Sequence, residues 1–245
     1  MPIKVSEIHA PVLITGAGQR LGLSIAKDLL AQGYPLLISY RSETAGVAEL
    51  RELGADCVAA DFSQDAGIQS FITYVLNHYS VLRAVIHNAS QWLKNAALDD
   101  EHELMRQMWC VHVTAPYQMN LAFESLLNQQ HQTGETSDII HLTDYVAEKG
   151  SAKHIAYAAS KAGLANLSLS FAARLAPAVK VNSIAPSLLM FNQHDDAAYR
   201  RKASAKSLMA KEGGATEAVA AVNFIMNSQY LTGRCIALDG GRHLV

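Results

Sequence analysis

The chain has 245 residues, of which 50% are hydrophobic and 17% charged, and its formal net charge is -2. This length suits one α/β domain with a large core, and the small net charge excludes a global field that recruits nucleic acid or an anionic membrane. A small-molecule ligand is therefore expected.

The three cysteines, Cys57, Cys110 and Cys235, lie far apart and form no CxxC pair. This spacing predicts buried thiols in a reducing compartment and argues against a disulfide framework or a zinc site. The first apolar run, residues 12–14, is far too short for a signal peptide or a membrane span. We therefore expect a cytoplasmic protein.

The first half of the chain alternates short apolar runs with segments whose apolar residues recur at helical spacing. The apolar runs predict strands at residues 11–15, 35–40, 57–60 and 83–87. The spaced segments predict helices at residues 21–32, 44–53 and 65–78, and a longer helical pattern at 100–130. Pro116 lies inside that longer pattern and predicts a kink or a break.

The second half continues the alternation. Further strands are predicted at residues 138–143, 179–185 and 235–238, and further helices at about 154–176 and 216–227. Thr216 is the predicted N-cap of the last helix. Residues 187–211 are polar and interrupt the alternation, so we expect an excursion with one or two short helices that serves as a substrate lid.

Seven strands that alternate with helices predict an α/β fold with a doubly wound parallel sheet. The strands of such a sheet are expected to be buried on both faces, and its ligands bind beyond the carboxyl ends of the strands. We expect residues 1–245 to form one domain.

A glycine-rich turn, residues 15–22, joins the first strand to the first helix. Gly16 and Gly18 leave room there for a dinucleotide pyrophosphate on the helix N-terminus, although a turn that only permits close packing is the alternative. The second strand ends at Arg41 and Ser42, which can bind the 2′-phosphate of NADPH. The nearby Glu43 keeps open the alternative that Arg41 is a solvated charge.

Tyr157 and Lys161 lie four residues apart on a predicted helix, so their side chains emerge on one face. A nearby ammonium favours phenolate, so we expect Lys161 to lower the pKa of Tyr157 and make it a usable acid or base. An ordinary surface pair is the alternative. Asp144 can join them only if the chain folds it back.

With the glycine turn, Asn88-Ala89 after the fourth strand and the YxxxK motif, the chain resembles a short-chain dehydrogenase/reductase over nearly its whole length. The resemblance implies a Rossmann-type sheet, hydride transfer from a nicotinamide, Tyr157 as proton donor and Lys161 on the nicotinamide ribose. It implies a homotetramer. The cofactor contacts it implies are Gly16, Gly18, Arg20, Leu21, Tyr40, Arg41, Ser42, Asp61, Phe62, Asn88, Tyr157, Lys161 and Pro186. Asp61 either brackets the adenine or caps the next turn.

The chain departs from the common pattern of that family at three positions, and there it resembles the pteridine reductases. The departures are Arg20 in place of glycine, Asp144 in place of serine thirteen residues before the tyrosine, and Trp92, which can stack on a pterin ring. Burial of Trp92 as a cap on the core is its alternative role. The resemblance implies a substrate site made of Arg20, Ser90, Trp92, Asp144 and Tyr157.

These residues support the hypothesis that NADPH reduces 7,8-dihydropterins. The resemblance implies dihydromonapterin and dihydrofolate as the substrates. Hydride reaches C6, and N5 gains a proton through Asp144, Tyr157 or a water they hold; Lys161 completes the catalytic set. The alternatives are a generic carbonyl reductase and a non-catalytic NADPH-binding regulatory protein. The latter rests on His112, which stands where the family has a catalytic asparagine. No metal site is expected, because adjacent residues such as 194–196 rarely converge on one ion.

Overall fold

Strands and helices alternate along the chain in the computed structural model, which describes residues 10–95, 100–131 and 134–245. The strands are β1 Val12–Ile14, β2 Leu36–Tyr40, β3 Asp56–Ala59, β4 Ala84–His87, β5 Ser137–Leu142, β6 Val179–Pro186 and β7 Cys235–Leu238. The helices are α1 Arg20–Ala31, α2 Ala45–Glu52, α3 Asp65–His78, α4 Glu101–Trp109, α5 Ala115–Ala122, α6 Glu124–His131, α7 Val146–Lys149, α8 Ile155–Leu175, α9 Ala197–Ser204 and α10 Ala215–Asn227.

The strands form one sheet in the order β3-β2-β1-β4-β5-β6-β7, and all neighbouring pairs are parallel. The predicted doubly wound parallel sheet is therefore confirmed. The chain order reverses between β1 and β4, and the carboxyl ends of these two strands meet at the crevice where such sheets bind ligands.

An apolar core lies on each face of the sheet. One contains the apolar residues of α3, α5 and α8, and the other those of α1 and α10. The prediction that every strand is buried on both faces is wrong for the edges, because β3 has three half-buried residues and one exposed residue, and β7 alternates between exposed and half-buried residues. Each edge strand has one hydrogen-bonded neighbour among the strands that the structure describes, so less of it is covered.

The helical pattern at 100–130 is broken, but not where Pro116 predicts. A five-residue π-helix, Cys110–Thr114, separates α4 from α5, and Pro116 follows in the first turn of α5, where its missing N–H costs little. A π-turn inserted between α-helices often marks a functional site. His112 lies in this segment and is fully buried.

Two smaller expectations are wrong. Thr216 does not cap α10, because the helix begins at Ala215 and its N-cap is Gly214, at φ +90° with no side-chain cap. The backbone N–H of Gly214 donates to Leu189 O at 2.8 Å and fixes this start. Cys235 is exposed on β7 rather than buried, while the other two thiols are half-buried or buried.

Within the described ranges, none of the helices is both long enough and apolar enough to cross a membrane.

Candidate active site

The glycine turn is held against the end of β4 at very short range. Gly16 has φ +66°, and a Cβ on it would lie 2.8 Å from Ala89 Cα, which only glycine avoids. The Asn88 side-chain amide donates to Gly16 O at 2.8 Å and to Thr15 O at 3.1 Å. Asn88, predicted as a cofactor contact, therefore also braces the turn that opens α1.

The site residues predicted from the sequence converge on one cavity of about 460 Å³ at the carboxyl ends of the strands. Its wall contains all of them: Gly16, Gly18, Arg20, Leu21, Tyr40, Arg41, Ser42, Asp61, Phe62, Asn88, Ser90, Trp92, Asp144, Tyr157, Lys161 and Pro186. The folding of distant segments to one sheet edge brings the two predicted sets together.

At the end of β2, Glu43 pairs with Arg51 at 3.0 Å rather than with Arg41. Arg41 is exposed, and in the part of the chain that the structure describes its side chain makes no hydrogen bond or ion pair. The Glu43 carboxylate therefore forms its ion pair with Arg51 and leaves the Arg41 guanidinium without it. Arg41 and Ser42 present a cation and a hydroxyl to the cavity.

After β3, the cavity wall continues through Asp61 and Phe62. Asp61 Oδ1 accepts the Ser63 N–H at 3.0 Å, so Asp61 caps this turn, and its contact with an adenine stays a prediction. The Phe62 ring is buried and packs edge-on against Phe71, at 5.4 Å between centroids. Phe62 therefore anchors this wall to the core.

Asp144 does fold back onto the helix that carries Tyr157. It follows β5, its Oδ1 accepts the Val146 N–H at 2.9 Å, and its Oδ2 accepts the Tyr157 hydroxyl at 2.8 Å. Lys161 is buried one turn further along α8 and donates to Leu142 O at 2.7 Å. A phenol, a carboxylate and an ammonium thus share one end of the cavity.

The charges of this group act on one another through a region with little water. Burial and the Asp144 carboxylate raise the pKa of Tyr157 well above 10.0, while a hydrogen bond from Ser90 lowers it. Burial lowers the pKa of Lys161 to about 8, and the Asp144 charge opposes this. The pKa of Tyr157 was expected to be lowered by Lys161. This expectation is wrong, because burial and the Asp144 carboxylate raise that pKa.

The Trp92 side chain is 57% exposed, so its alternative role as a buried core cap is wrong. Its ring stacks on His154 with centroids 4.4 Å apart and planes 17° apart. The His154 Nδ1 atom is in turn bonded to Leu93 O at 2.9 Å. The stacking contact with His154 therefore fixes the orientation of the Trp92 ring in the cavity wall.

Arg20 contacts the excursion after β6 rather than Asp144 or Tyr157. Its backbone has φ +53°, and its guanidinium donates to Met190 O at 3.0 Å and to Asn192 Oδ1 at 2.8 Å. At the far end of the excursion, the Met209 N–H donates to Gly240 O at 3.0 Å. Residues 187–211, which contain one described helix, α9, are thus fastened at both ends.

The acidic pair at 195–196 has local structural roles. Asp196 caps α9 by accepting the Tyr199 N–H, and Asp195 accepts the Asn192 N–H, each at 2.7 Å. No group of three potential metal ligands occurs among residues 10–95, 100–131 and 134–245.

Several supporting residues were missed by the sequence argument. Ser39 Oγ accepts the Gly16 N–H at 3.1 Å, and Thr44 Oγ1 donates to Gly18 O at 2.6 Å. Thr15 Oγ1 accepts the N–H groups of Asn88 and Ala89, both at 3.0 Å. The available signal was their position: each hydroxyl residue stands within a few residues of a strand end.

The cavity suits a dinucleotide on its own geometry. Among the described residues, no side chain caps the N-terminus of α1, and a Cβ on Gly22 would collide with Asn88, so the backbone there stays open to a phosphate. The buried Oε1 atom of Gln91, in the cavity wall, has no hydrogen-bond partner in the described chain. No acidic residue stands at positions 40–42 to repel a 2′-phosphate.

Comparisons with known proteins agree with this geometry. Residues 16–243 match the family model described as enoyl-(acyl carrier protein) reductase. The dihydromonapterin reductase of Klebsiella pneumoniae is 50% identical over 96% of this chain and 97% of its own length, and that of Escherichia coli (strain SMS-3-5) is 48% identical over the same shares.

Two solved structures share the fold. FolM alternative dihydrofolate reductase 1 from Brucella canis, complexed with NADP, has a TM-score of 0.84 and 25% identity, covering 97% of this chain and 95% of that one. The Pseudomonas aeruginosa RhlG/NADP active-site complex has the same TM-score and identity, covering 97% and 98%.

Proposed function

This chain belongs to the short-chain dehydrogenase/reductase family, and we propose that it is an NADP-dependent oxidoreductase that reduces 7,8-dihydropterins to tetrahydropterins. The observation that carries the proposal is the 2.8 Å hydrogen bond between Tyr157 and Asp144, in one cavity with Trp92 and Arg41. The names of the relatives support dihydromonapterin and dihydrofolate as substrates.

NADPH, when bound, supplies the hydride that reduces C6 of the pterin. The residues suited to hold it are those of the glycine turn, the N-terminus of α1, Arg41 with Ser42, and Lys161. The buried ammonium of Lys161, fixed by Leu142 O, supplies positive charge close to the phenol without leaving its place.

The protein's own contribution to the chemistry is the proton for N5. The Tyr157 phenol keeps its proton at working pH because burial and Asp144 raise its pKa, as a proton donor requires. Asp144 orients the phenol and can accept the proton or return it, so the pair acts as one unit. Trp92 offers a ring face on which a flat heterocycle can stack.

The wider proposal is one domain over residues 1–245, with residues 187–211 as a lid and a cytoplasmic homotetramer as the working form. Exposed apolar side chains on α4, α5 and α8 are available for assembly: Met105, Trp109, Tyr117 and Leu169.

A comparison of substrates on one preparation tests the function. NADPH consumption is followed with dihydromonapterin, dihydrobiopterin, dihydrofolate and an aliphatic ketone, and we expect the highest kcat/KM with a dihydropterin. A clear preference for the ketone would support the generic carbonyl reductase. Tight NADPH binding with no consumption of any substrate would support the non-catalytic alternative.

Replacement of Arg41 with alanine is expected to raise the KM for NADPH about tenfold or more, because hydrogen bonds to a charged group contribute about 1.5–3 kcal/mol. The KM for NADH, which lacks the 2′-phosphate, is expected to stay within about twofold. Steady-state kinetics with both cofactors on the same variant provide the internal control. Equal losses with both cofactors would remove Arg41 from 2′-phosphate recognition.

Replacement of Trp92 with alanine is expected to raise the KM for dihydropterin about fivefold, because aromatic stacking contributes about 0.5–1.5 kcal/mol beyond area burial. Trp92→Phe keeps an aromatic face and should lose much less. The KM for NADPH serves as the control and should not change. An unchanged KM for dihydropterin in Trp92→Ala would show that this ring does not bind the substrate.

A further inference from the structure

His112, in the π-helix, links helix α8 to the segment after β4 through its two ring nitrogens. Nδ1 lies 2.8 Å from Ser160 Oγ on α8, and Nε2 lies 2.9 Å from Ser90 Oγ after β4. The Gln91 N–H also donates to Nε2, at 3.3 Å. The imidazole is fully buried, and its ring meets the Tyr157 ring edge-on at 5.4 Å between centroids.

The hydrogen-bond partners determine where the His112 proton resides. A backbone N–H can only donate, so Nε2 is an acceptor and the proton lies on Nδ1. Nδ1–H then donates to Ser160 Oγ, and the Ser160 hydroxyl donates to Tyr157 O at 2.8 Å. Burial and the charge of Lys161 hold the pKa of His112 well below 6.5, so the ring stays neutral.

This chain of hydrogen bonds cannot supply a proton to the reaction. It ends at the carbonyl oxygen of Tyr157, which is an acceptor with no proton to give. Any role of His112 in the chemistry is therefore to position other groups, and the Ser90 hydroxyl that it holds lines the same cavity as the Tyr157 phenol.

The Ser90 hydroxyl has one proton and two possible acceptors, His112 Nε2 and the Tyr157 oxygen. While Tyr157 is a phenol that donates to Asp144, the Ser90 hydroxyl can donate its hydrogen bond to Nε2. Once Tyr157 has given its proton away, the phenolate is the stronger acceptor and the Ser90 hydroxyl can turn to it. Nε2 then still accepts the Gln91 N–H, so rotation of the Ser90 hydroxyl leaves no buried acceptor unpaired.

We propose that His112 is a positioning residue that holds the Ser90 hydroxyl at the Tyr157 phenol, ready to stabilise the phenolate left by proton donation. This inference rests on the proposed function, in which Tyr157 is the proton donor. The other groups that face the phenol are the Asp144 carboxylate and the Lys161 ammonium, and neither contacts the His112 ring by a hydrogen bond in the described chain.

The chain provides a matched control for a purely structural role. His141 in β5 is also fully buried, and its Nδ1 lies 2.8 Å from Ser168 Oγ on the same helix, α8. Its Nε2 accepts from the Asn120 amide at 3.2 Å, within the core. His141→Asn and Ser168→Ala therefore disturb an equivalent buried pair that does not reach Tyr157.

The test compares two substitutions of His112 that each keep one half of its contacts. His112→Asn places an amide near the Nδ1 position and loses the acceptor for Ser90, while His112→Gln places an acceptor near Nε2. We expect kcat for dihydropterin to fall about tenfold in His112→Asn and in Ser90→Ala, as for a lost hydrogen bond to a charged group. His112→Gln should stay within about threefold of wild type.

Two further readouts separate positioning from folding. The solvent deuterium isotope effect on kcat should rise in His112→Asn and Ser90→Ala, because proton transfer then limits turnover. The KM for NADPH should not change in these two variants. The control variants His141→Asn and Ser168→Ala should keep the wild-type isotope effect. The double variant should be no slower than the slower single variant, because both remove one shared interaction.

An isotope effect that stays at the wild-type value, or losses that simply add in the double variant, would overturn the proposal. If the His112 variants do not fold, Ser90→Ala alone decides: full kcat with an unchanged isotope effect refutes it. Absence of dihydropterin reduction by the wild type would refute the proposed function instead, which is a different result.

Discussion

Turnover of dihydropterin is expected to fall at least about 100-fold when Tyr157 is replaced by phenylalanine, as is typical for loss of a positioned proton donor. The change removes only the hydroxyl, so the buried ring and its contact with His112 remain. The dissociation constant for NADPH, measured by fluorescence titration, should change little. Single-turnover rates with saturating NADPH and dihydropterin provide the measurement.

Asp144→Ala is the matched comparison for this variant, because it removes the acceptor of the same hydrogen bond. It should slow dihydropterin reduction more than it weakens NADPH binding. Full turnover in Tyr157→Phe would exclude Tyr157 as the donor and leave Asp144 or a bound water. Loss of NADPH binding with intact residual chemistry in Asp144→Ala would mean that Asp144 belongs to the cofactor site.

The architecture was predictable because the strand and helix patterns of this chain agree with its tertiary structure. α3 has the predicted bounds of 65–78, and the other predicted elements lie within about one residue of the observed ones wherever the hydrophobic period is clear. In a parallel sheet, residues after successive strands must meet at one edge. That rule alone brings Arg41, Asn88 and Asp144 to the same cavity.

The features that sequence did not predict depend on burial and on contacts between distant segments. The pKa of Tyr157 is raised mainly by burial, which the spacing of residues in the sequence does not reveal. The prediction of a lowered pKa, made from the nearby Lys161, was therefore wrong. Arg20 binds Met190 and Asn192, a contact across 170 residues of chain that only the fold creates. The π-helix has no simple sequence pattern, and Pro116 marked its neighbourhood rather than its position.

Buried neutral histidines are a second feature with a large measurable effect. His87, His112 and His141 are all at most 3% exposed and hydrogen-bonded. His87 and His141 are linked through Asn120, whose oxygen lies 2.8 Å from His87 Nε2. Burial lowers the pKa of His87 from 6.5 to about 4 and lowers those of the other two well below 6.5.

We expect the free energy of unfolding to fall steeply as the pH drops from 6.5 towards 4. Over that range the unfolded chain binds protons at these histidines while the folded chain does not, so each contributes stability above pH 6.5 that is lost on acidification. For His87 alone the loss approaches about 3 kcal/mol by pH 4, since each pKa unit corresponds to about 1.4 kcal/mol. Urea unfolding at pH 7, 6 and 5 measures the slope.

His87→Gln keeps a donor for Asn120 but cannot titrate, so its stability should depend less on pH than that of the wild type or of the exposed-site control His102→Gln. Parallel pH profiles for all three proteins would show that His87 binds its proton equally in the folded and unfolded states.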